Sequence, residues 1–131
     1  MVQLILNKLI SEGPVVTVYT LQGKPCKCRY SNDGKYFISD KLPSNVNFSF
    51  DIFDLIVSTL KTNGGKMLKG NGRNSKLGKG KCTYDTLVGV IGRDYFGKQT
   101  GESVLDPLFV LAAVLEWAGI CNNERGYLSL K

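Results

Sequence analysis

Residues 61–81, KTNGGKMLKGNGRNSKLGKGK, hold seven lysines or arginines and six glycines, with no acidic residue. A cluster of like charge creates a positive local potential that attracts polyanions, and glycine, lacking a Cβ, lets the main chain approach a ligand closely. The chemistry this pattern suits is non-covalent: cations gripping phosphate oxygens, above all those of nucleic acid. It equally suits the plainer role of a solubilising surface loop. Residues 1–60 hold six basic and five acidic side chains and residues 82–131 hold four and six, so the formal charge of +6 resides in this one stretch. Lys66, Lys69, Arg73, Lys76, Lys79 and Lys81 are therefore the candidate phosphate contacts, with Arg125, Lys27 and Arg29 as outer ones. The basic run contains no aromatic residue. Base stacking has to come from Tyr19, Tyr30, Tyr36 or Phe37, if they face outward. Phosphate contact with little sequence preference is the expected form, DNA ahead of RNA.

Other chemistries find less support. The chain has no histidine, the commonest general base and metal ligand, and no catalytic residue, cofactor or resident metal is expected. Cys26, Cys28, Cys82 and Cys121 form one C-x-C pair and two remote singles, not the paired C-x2-C spacing of zinc fingers. They read as buried reduced thiols, an all-thiolate zinc site being the alternative. Residues 92–99, GRDYFGKQ, approach the phosphate-loop pattern G-x-x-x-x-G-K-[ST], but Gln99 replaces the hydroxyl that reaches Mg²⁺. Too little chain follows for the remaining strands of such a fold, and the segment reads as a helix end with Lys98 at its C-terminal dipole. Asp94, Lys98 and Glu102 are the candidates for a metal-dependent nuclease, the least favoured function.

The elements that must position these groups suggest an α+β protein, one compact domain over residues 1–131. Residues 1–42 read as mainly β. VVTVYTL, CKCRYS and YFISD, separated by QGKP and NDGK, form a three-stranded antiparallel meander, with a hairpin turn at Asn32–Asp33–Gly34. Residues 2–10 suit a short helix or an edge strand. Residues 49–131 read as mainly helical. Phe50, Phe53, Ile56, Val57 and Leu60 recur at helical spacing until Asn63–Gly64–Gly65. The flexible basic Gly-rich loop 61–81 follows. A second helix is expected from an N-cap at Thr83, with Tyr84, Leu87, Val88, Ile91 and Tyr95 on one face. Gly89 and Gly92 lower its propensity and leave a strand at 87–91 open. The third runs from Asp106 and Pro107 to Gly119. Its body, LFVLAAVLEWA, is apolar on nearly every side, the mark of a core helix or of one that meets a second copy or a protein partner through residues 107–118. A closing strand is expected at 126–130. No apolar run spans a membrane, and the N-terminus lacks a secretory leader, so a cytoplasmic location is expected.

Residues 49–130, with helix, long connection, helix, turn, helix and the closing LEWAGICNNERGYLSL, resemble winged-helix DNA-binding domains. Leu115, Ala118, Gly119 and Ile120 match the boundary of the last helix, and Arg125 and Gly126 match the wing tip. The resemblance implies DNA contact through a recognition helix and a wing. Residues 108–118 depart from it by offering almost nothing polar to read a groove, which shifts the expected contacts to 61–81 and Arg125.

Overall fold

Alternation of buried and exposed side chains builds the first of two sheets in the computed structural model, which describes residues 2–131. Strands β1 (Val16–Tyr19), β2 (Pro25–Tyr30), β3 (Tyr36–Ser39) and β4 (Phe48–Ser49) pair antiparallel in that order. Val16 lies opposite Cys28 and Val18 opposite Cys26, and all four side chains point inward. The expected turn is present: Gly34 takes φ 74°, and the Ser31 amide donates to the Tyr36 carbonyl at 2.9 Å. The meander has four strands rather than three, because Phe48 follows the short connection and pairs with Phe37. Before it, Val2–Glu12 forms helix α1, which settles the choice between helix and edge strand. Ile5 and Leu9, four apart on one face, are fully buried.

Helix α2 (Asp51–Thr62) buries Ile52, Phe53, Ile56, Val57 and Leu60. It ends where the glycines demand it. Gly64 takes φ 79° and the Gly65 amide donates to the Leu60 carbonyl at 2.7 Å, the six-to-one bond of a Schellman ending. The chain then enters strand β5 (Lys66–Leu68), which pairs with β7 (Tyr127–Leu130), itself paired with β6 (Cys121–Glu124). The second sheet thus has the order β5-β7-β6.

Helix α4 (Leu108–Trp117) contacts β1 of the first sheet and β6 of the second. Apolar neighbours on both sides account for its lack of a polar face. Leu108 and Val110 to Leu115 are buried, so most of the helix offered as a surface for a second copy or partner through 107–118 is interior; of its apolar side chains Phe109 stands out at 47% exposure and Trp117 is half-buried. Its ends follow the sequence signals. The Leu108 amide donates to Asp106 Oδ1 at 3.1 Å. At the other end Gly119 takes φ 77° and the Ile120 amide reaches the Leu115 carbonyl at 3.0 Å. All four cysteines are free and buried. Burial pushes the Cys28 thiol up to about 12 and Cys121 to about 11, which keeps both protonated and unreactive. No helix among the described residues is long and apolar enough to cross a membrane.

The expected second helix differs most. Thr83 hydrogen-bonds Asp85 and closes a turn with Thr86, so Tyr84 lies outside the helix. Thr86 becomes the cap, accepting from the Gly89 amide at 3.1 Å, and α3 spans only Leu87–Val90. The chain widens into a π-helical turn at Ile91–Tyr95, closed by the Phe96 amide on the Ile91 carbonyl. The four α-helices and this turn replace the three helices expected. Gly89 does not merely weaken a helix. A Cβ on it would overlap the Thr83 carbonyl oxygen, so glycine is required for the backbone of 82–83 to cross α3. Gly89→Ala is expected to destabilise by about 1–3 kcal/mol through overpacking, read from the urea midpoint, and an unchanged midpoint would contradict this close crossing.

Candidate nucleic-acid interface

One apolar side chain decides how the basic stretch is presented. Leu77, alone among the polar residues 73–81, is fully buried. A Cβ on Gly92 would lie 3.3 Å from Leu77 Cδ1, which places the leucine against the π-helical turn. The Leu77 amide donates to the Glu102 carbonyl at 2.9 Å, and its own carbonyl accepts from the Gly101 amide at 2.9 Å. Fully burying a leucine side chain is worth about 1.5–3 kcal/mol. On either side the backbone closes on itself. The Asn71 amide reaches the Lys81 carbonyl at 2.8 Å, Gly78 bonds Cys82, Lys79 bonds Lys76, and the Lys81 amide donates to Ser75 Oγ at 3.0 Å. Gly72 is buried, its amide on Asp106 Oδ2 at 3.2 Å. The stretch 61–81 expected as a flexible loop is therefore the end of α2, then strand β5, then a folded segment pinned to the core.

This pinning divides the candidate cations. Lys69 is partly buried and its Nζ donates to Asn123 Oδ1. Burial pulls its pKa down, while Glu116 and Glu124 act in the opposite sense. Lys66 lies 3.7 Å from Glu124 and over the ring of Tyr127. These two cations belong to the β5-β7-β6 sheet and its carboxylates. Lys76 donates to Ser103 Oγ across to the 97–103 connection. Arg73, Lys79 and Lys81 are exposed, and among the described residues their side chains make no hydrogen bond or ion pair. Arg125 occupies the tip of the β6–β7 hairpin, beside Gly126, whose carbonyl accepts from the Lys69 amide at 2.9 Å. Lys27 and Arg29 share the outer face of β2, as their alternation with Cys26 and Cys28 implies, but they lie on the other sheet.

The segment also acquires an aromatic partner that periodicity hid. Freed from α3, Tyr84 hydrogen-bonds Thr100. A Cβ on Gly78 would lie 3.0 Å from Thr100 Cγ2 and 3.3 Å from Tyr84 Oη, so Lys79 follows directly on a residue in contact with that pair. Arg93, on the π-helical turn, places its guanidinium carbon 4.9 Å from the Tyr84 ring centroid. Asp94 grips Arg93 twice, at 2.7 and 3.2 Å, and this bond holds the carboxyl below its ordinary range. The spacing of Tyr84 with Leu87, Val88 and Ile91 made it look like a helix-face residue. The available signal was Thr83–Tyr84–Asp85, whose polar flanks favour a turn.

The remaining candidates fall apart from one another. Of the trio Asp94, Lys98 and Glu102, Asp94 is occupied by Arg93 and Glu102 accepts from the Gln99 amide at 2.7 Å, so both carboxylates already have partners within the fold. Among the described residues no three Cys, Asp or Glu side chains gather in a metal-binding geometry. Residues 92–99 form the end of the π-helical turn, with the Lys98 amide on the Gly92 carbonyl at 3.0 Å, rather than a phosphate-wrapping loop after a strand. Of the aromatics on the first sheet, Phe37 is core, Tyr30 and Tyr36 are half-buried, and Tyr19 is 60% exposed. Comparisons with protein-family models, with curated proteins and with solved structures return no match.

The division of the cations is measurable as stability. Lys69→Ala leaves the buried oxygen of Asn123 without its donor and is expected to cost about 1–3 kcal/mol. Lys79→Ala and Lys81→Ala, both exposed, are expected to stay within about 0.5 kcal/mol of the parent. Equal urea midpoints for all three variants would contradict the internal role of Lys69.

Proposed function

We propose that the protein binds DNA without cleaving it, holding the phosphate backbone through Arg73, Lys76, Lys79 and Lys81, with Arg125 as an outer contact. The observation that carries this function is an anchored backbone presenting cations that the fold itself leaves largely unused. Leu77 lies in the middle of the four residues, so the segment meets a ligand already shaped, and less conformational entropy is lost on binding than with a free loop. No acidic side chain interrupts residues 61–81.

The phosphates are met by side chains. The amides of Gly78, Lys79 and Lys81 already have acceptors within the segment, so a backbone cradle of the phosphate-loop kind is not part of the proposal. Nor is a recognition helix. The support from the winged-helix resemblance lies in the hairpin after α4, with Arg125 and Gly126 at its tip. Backbone contact of this type gives affinity with little sequence preference. Lys66 and Lys69 leave the contact set because Glu124 and Asn123 engage them. Lys27 and Arg29, on the outer face of the first sheet, add at most a separate patch. Burial of Leu111 and its neighbours leaves only Phe109 and the half-buried Trp117 as large apolar surface on residues 107–118, which favours phosphate contact over a protein-binding role there.

Four phosphate contacts on duplex DNA give a log–log dependence of affinity on salt with a slope of about −3.5. Fluorescence anisotropy of a labelled duplex is expected to show that slope. A variant with Arg73, Lys76, Lys79 and Lys81 all changed to alanine is expected to lose binding, and Lys79→Ala alone to reduce the slope by about one. A flat salt response, or equal binding by the fourfold variant, would contradict the proposal.

A further inference from the structure

The Arg93–Tyr84–Asp94 arrangement is not explained by the stability of the fold. An exposed ion pair between adjacent residues contributes little, and Arg93 is 47% exposed at its side chain. Yet the guanidinium is held along one edge and on one face. Asp94 takes Nε and Nη2, and the ring of Tyr84 lies beneath at 4.9 Å. Tyr84 is in turn tied to Thr100 and backed by Gly78. The π-helical turn at Ile91–Tyr95 carries both Arg93 and Asp94, and such widened turns recur at functional sites. The result is a flat, weakly hydrated cation, braced along one edge by Asp94 and lying over an aromatic ring, on a side chain that is 47% exposed. Guanidinium planes of this kind are surfaces on which unpaired bases stack.

We infer that Arg93 on Tyr84 is a stacking platform for one unpaired nucleobase, set beside the cations that hold the phosphates. This inference rests on the phosphate grip proposed above and adds to it. Lys79 follows the residue that touches Tyr84 and Thr100, and Lys76 reaches Ser103 in the same connection, so a strand gripped by these lysines passes the platform. A base within a closed duplex is covered by its neighbours. A base in a single strand, a frayed end or a bulge is free to lie on the guanidinium. The basic stretch itself has no ring to offer; the fold supplies one from Tyr84.

The test compares two labelled single strands of about 20 nucleotides with the same number of phosphates, one of thymidines and one fully abasic. The wild-type protein is expected to bind the thymidine strand about ten-fold more tightly, the increment of one stacked base. Arg93→Lys keeps the charge and removes the plane; Tyr84→Leu removes the ring. Both are expected to bind the thymidine strand only as well as the abasic one, with abasic binding and thermal melting unchanged for Arg93→Lys. Should Tyr84→Leu fail to fold, Arg93→Lys decides alone. Equal wild-type affinity for both strands would overturn the platform while leaving the phosphate grip standing. An undiminished increment in Arg93→Lys would also overturn it. Binding of neither strand while the labelled duplex is still bound would overturn the platform alone, and loss of duplex binding as well would overturn the grip with it.

Discussion

Insertion of Leu77 into the core is the constraint on which the rest of this surface depends. Residues 69–81, glycine-rich and without an acidic side chain, repel themselves and, Leu77 apart, have no apolar side chain to bury, so left alone they would remain solvated chain. One leucine changes that balance. It seats against Gly92 and exchanges backbone hydrogen bonds with the 101–102 connection, and the chain on both sides folds back on itself. The basic turns are thereby held against the π-helical turn and the connection 97–103 that follows it. Glycine serves this assembly by allowing close approach. Gly92 admits Leu77 and Val104, and Gly72 lies where a Cβ would meet Val88 and Val104.

Once the segment is pinned, its charges divide by surroundings. Those nearest the second sheet meet carboxylates and an amide. Lys69 donates to Asn123 beside Glu116, whose Oε2 accepts from the Asn123 amide at 3.2 Å, and Lys66 sits over Tyr127 near Glu124. These contacts tie β5 to the hairpin and stabilise the scaffold. The charges on and around the turns meet little or nothing internal. Self-repulsion among exposed like charges destabilises a compact state, and a polyanion relieves it. Net charge alone cannot distinguish the two groups, because a lysine bound to asparagine counts the same as one facing solvent.

Local signals in the chain were legible. The alternation around Cys26 and Cys28, the turn at Gly34, the periodic face of α2 and the glycine ending of α4 all depend on neighbours within about one helical turn, and each is present in the structure. What stayed hidden depends on partners far along the chain. Strand β5 is three residues long and exists because β7, near the C-terminus, pairs with it. Lys69 finds its acceptor 54 residues away. Tyr84 follows the helical period of its successors yet is drawn into a turn by Thr83 and Asp85. Leu77 is the one apolar side chain among residues 69–81, and nothing local marks it as an anchor. The basic residues were therefore legible as a charge cluster, but their division and their aromatic neighbour were not.

Amide hydrogen exchange resolved by residue tests the anchoring most directly. The amides of Leu77, Gly78 and Cys82 are hydrogen-bonded within the assembly, whereas those of Asn74 and Gly80 have no acceptor among the described residues. Slow exchange at the first three, with fast exchange at the last two, is the pattern that a pinned segment requires. Uniformly fast exchange across residues 70–82 would show a free basic loop and contradict the account at its base.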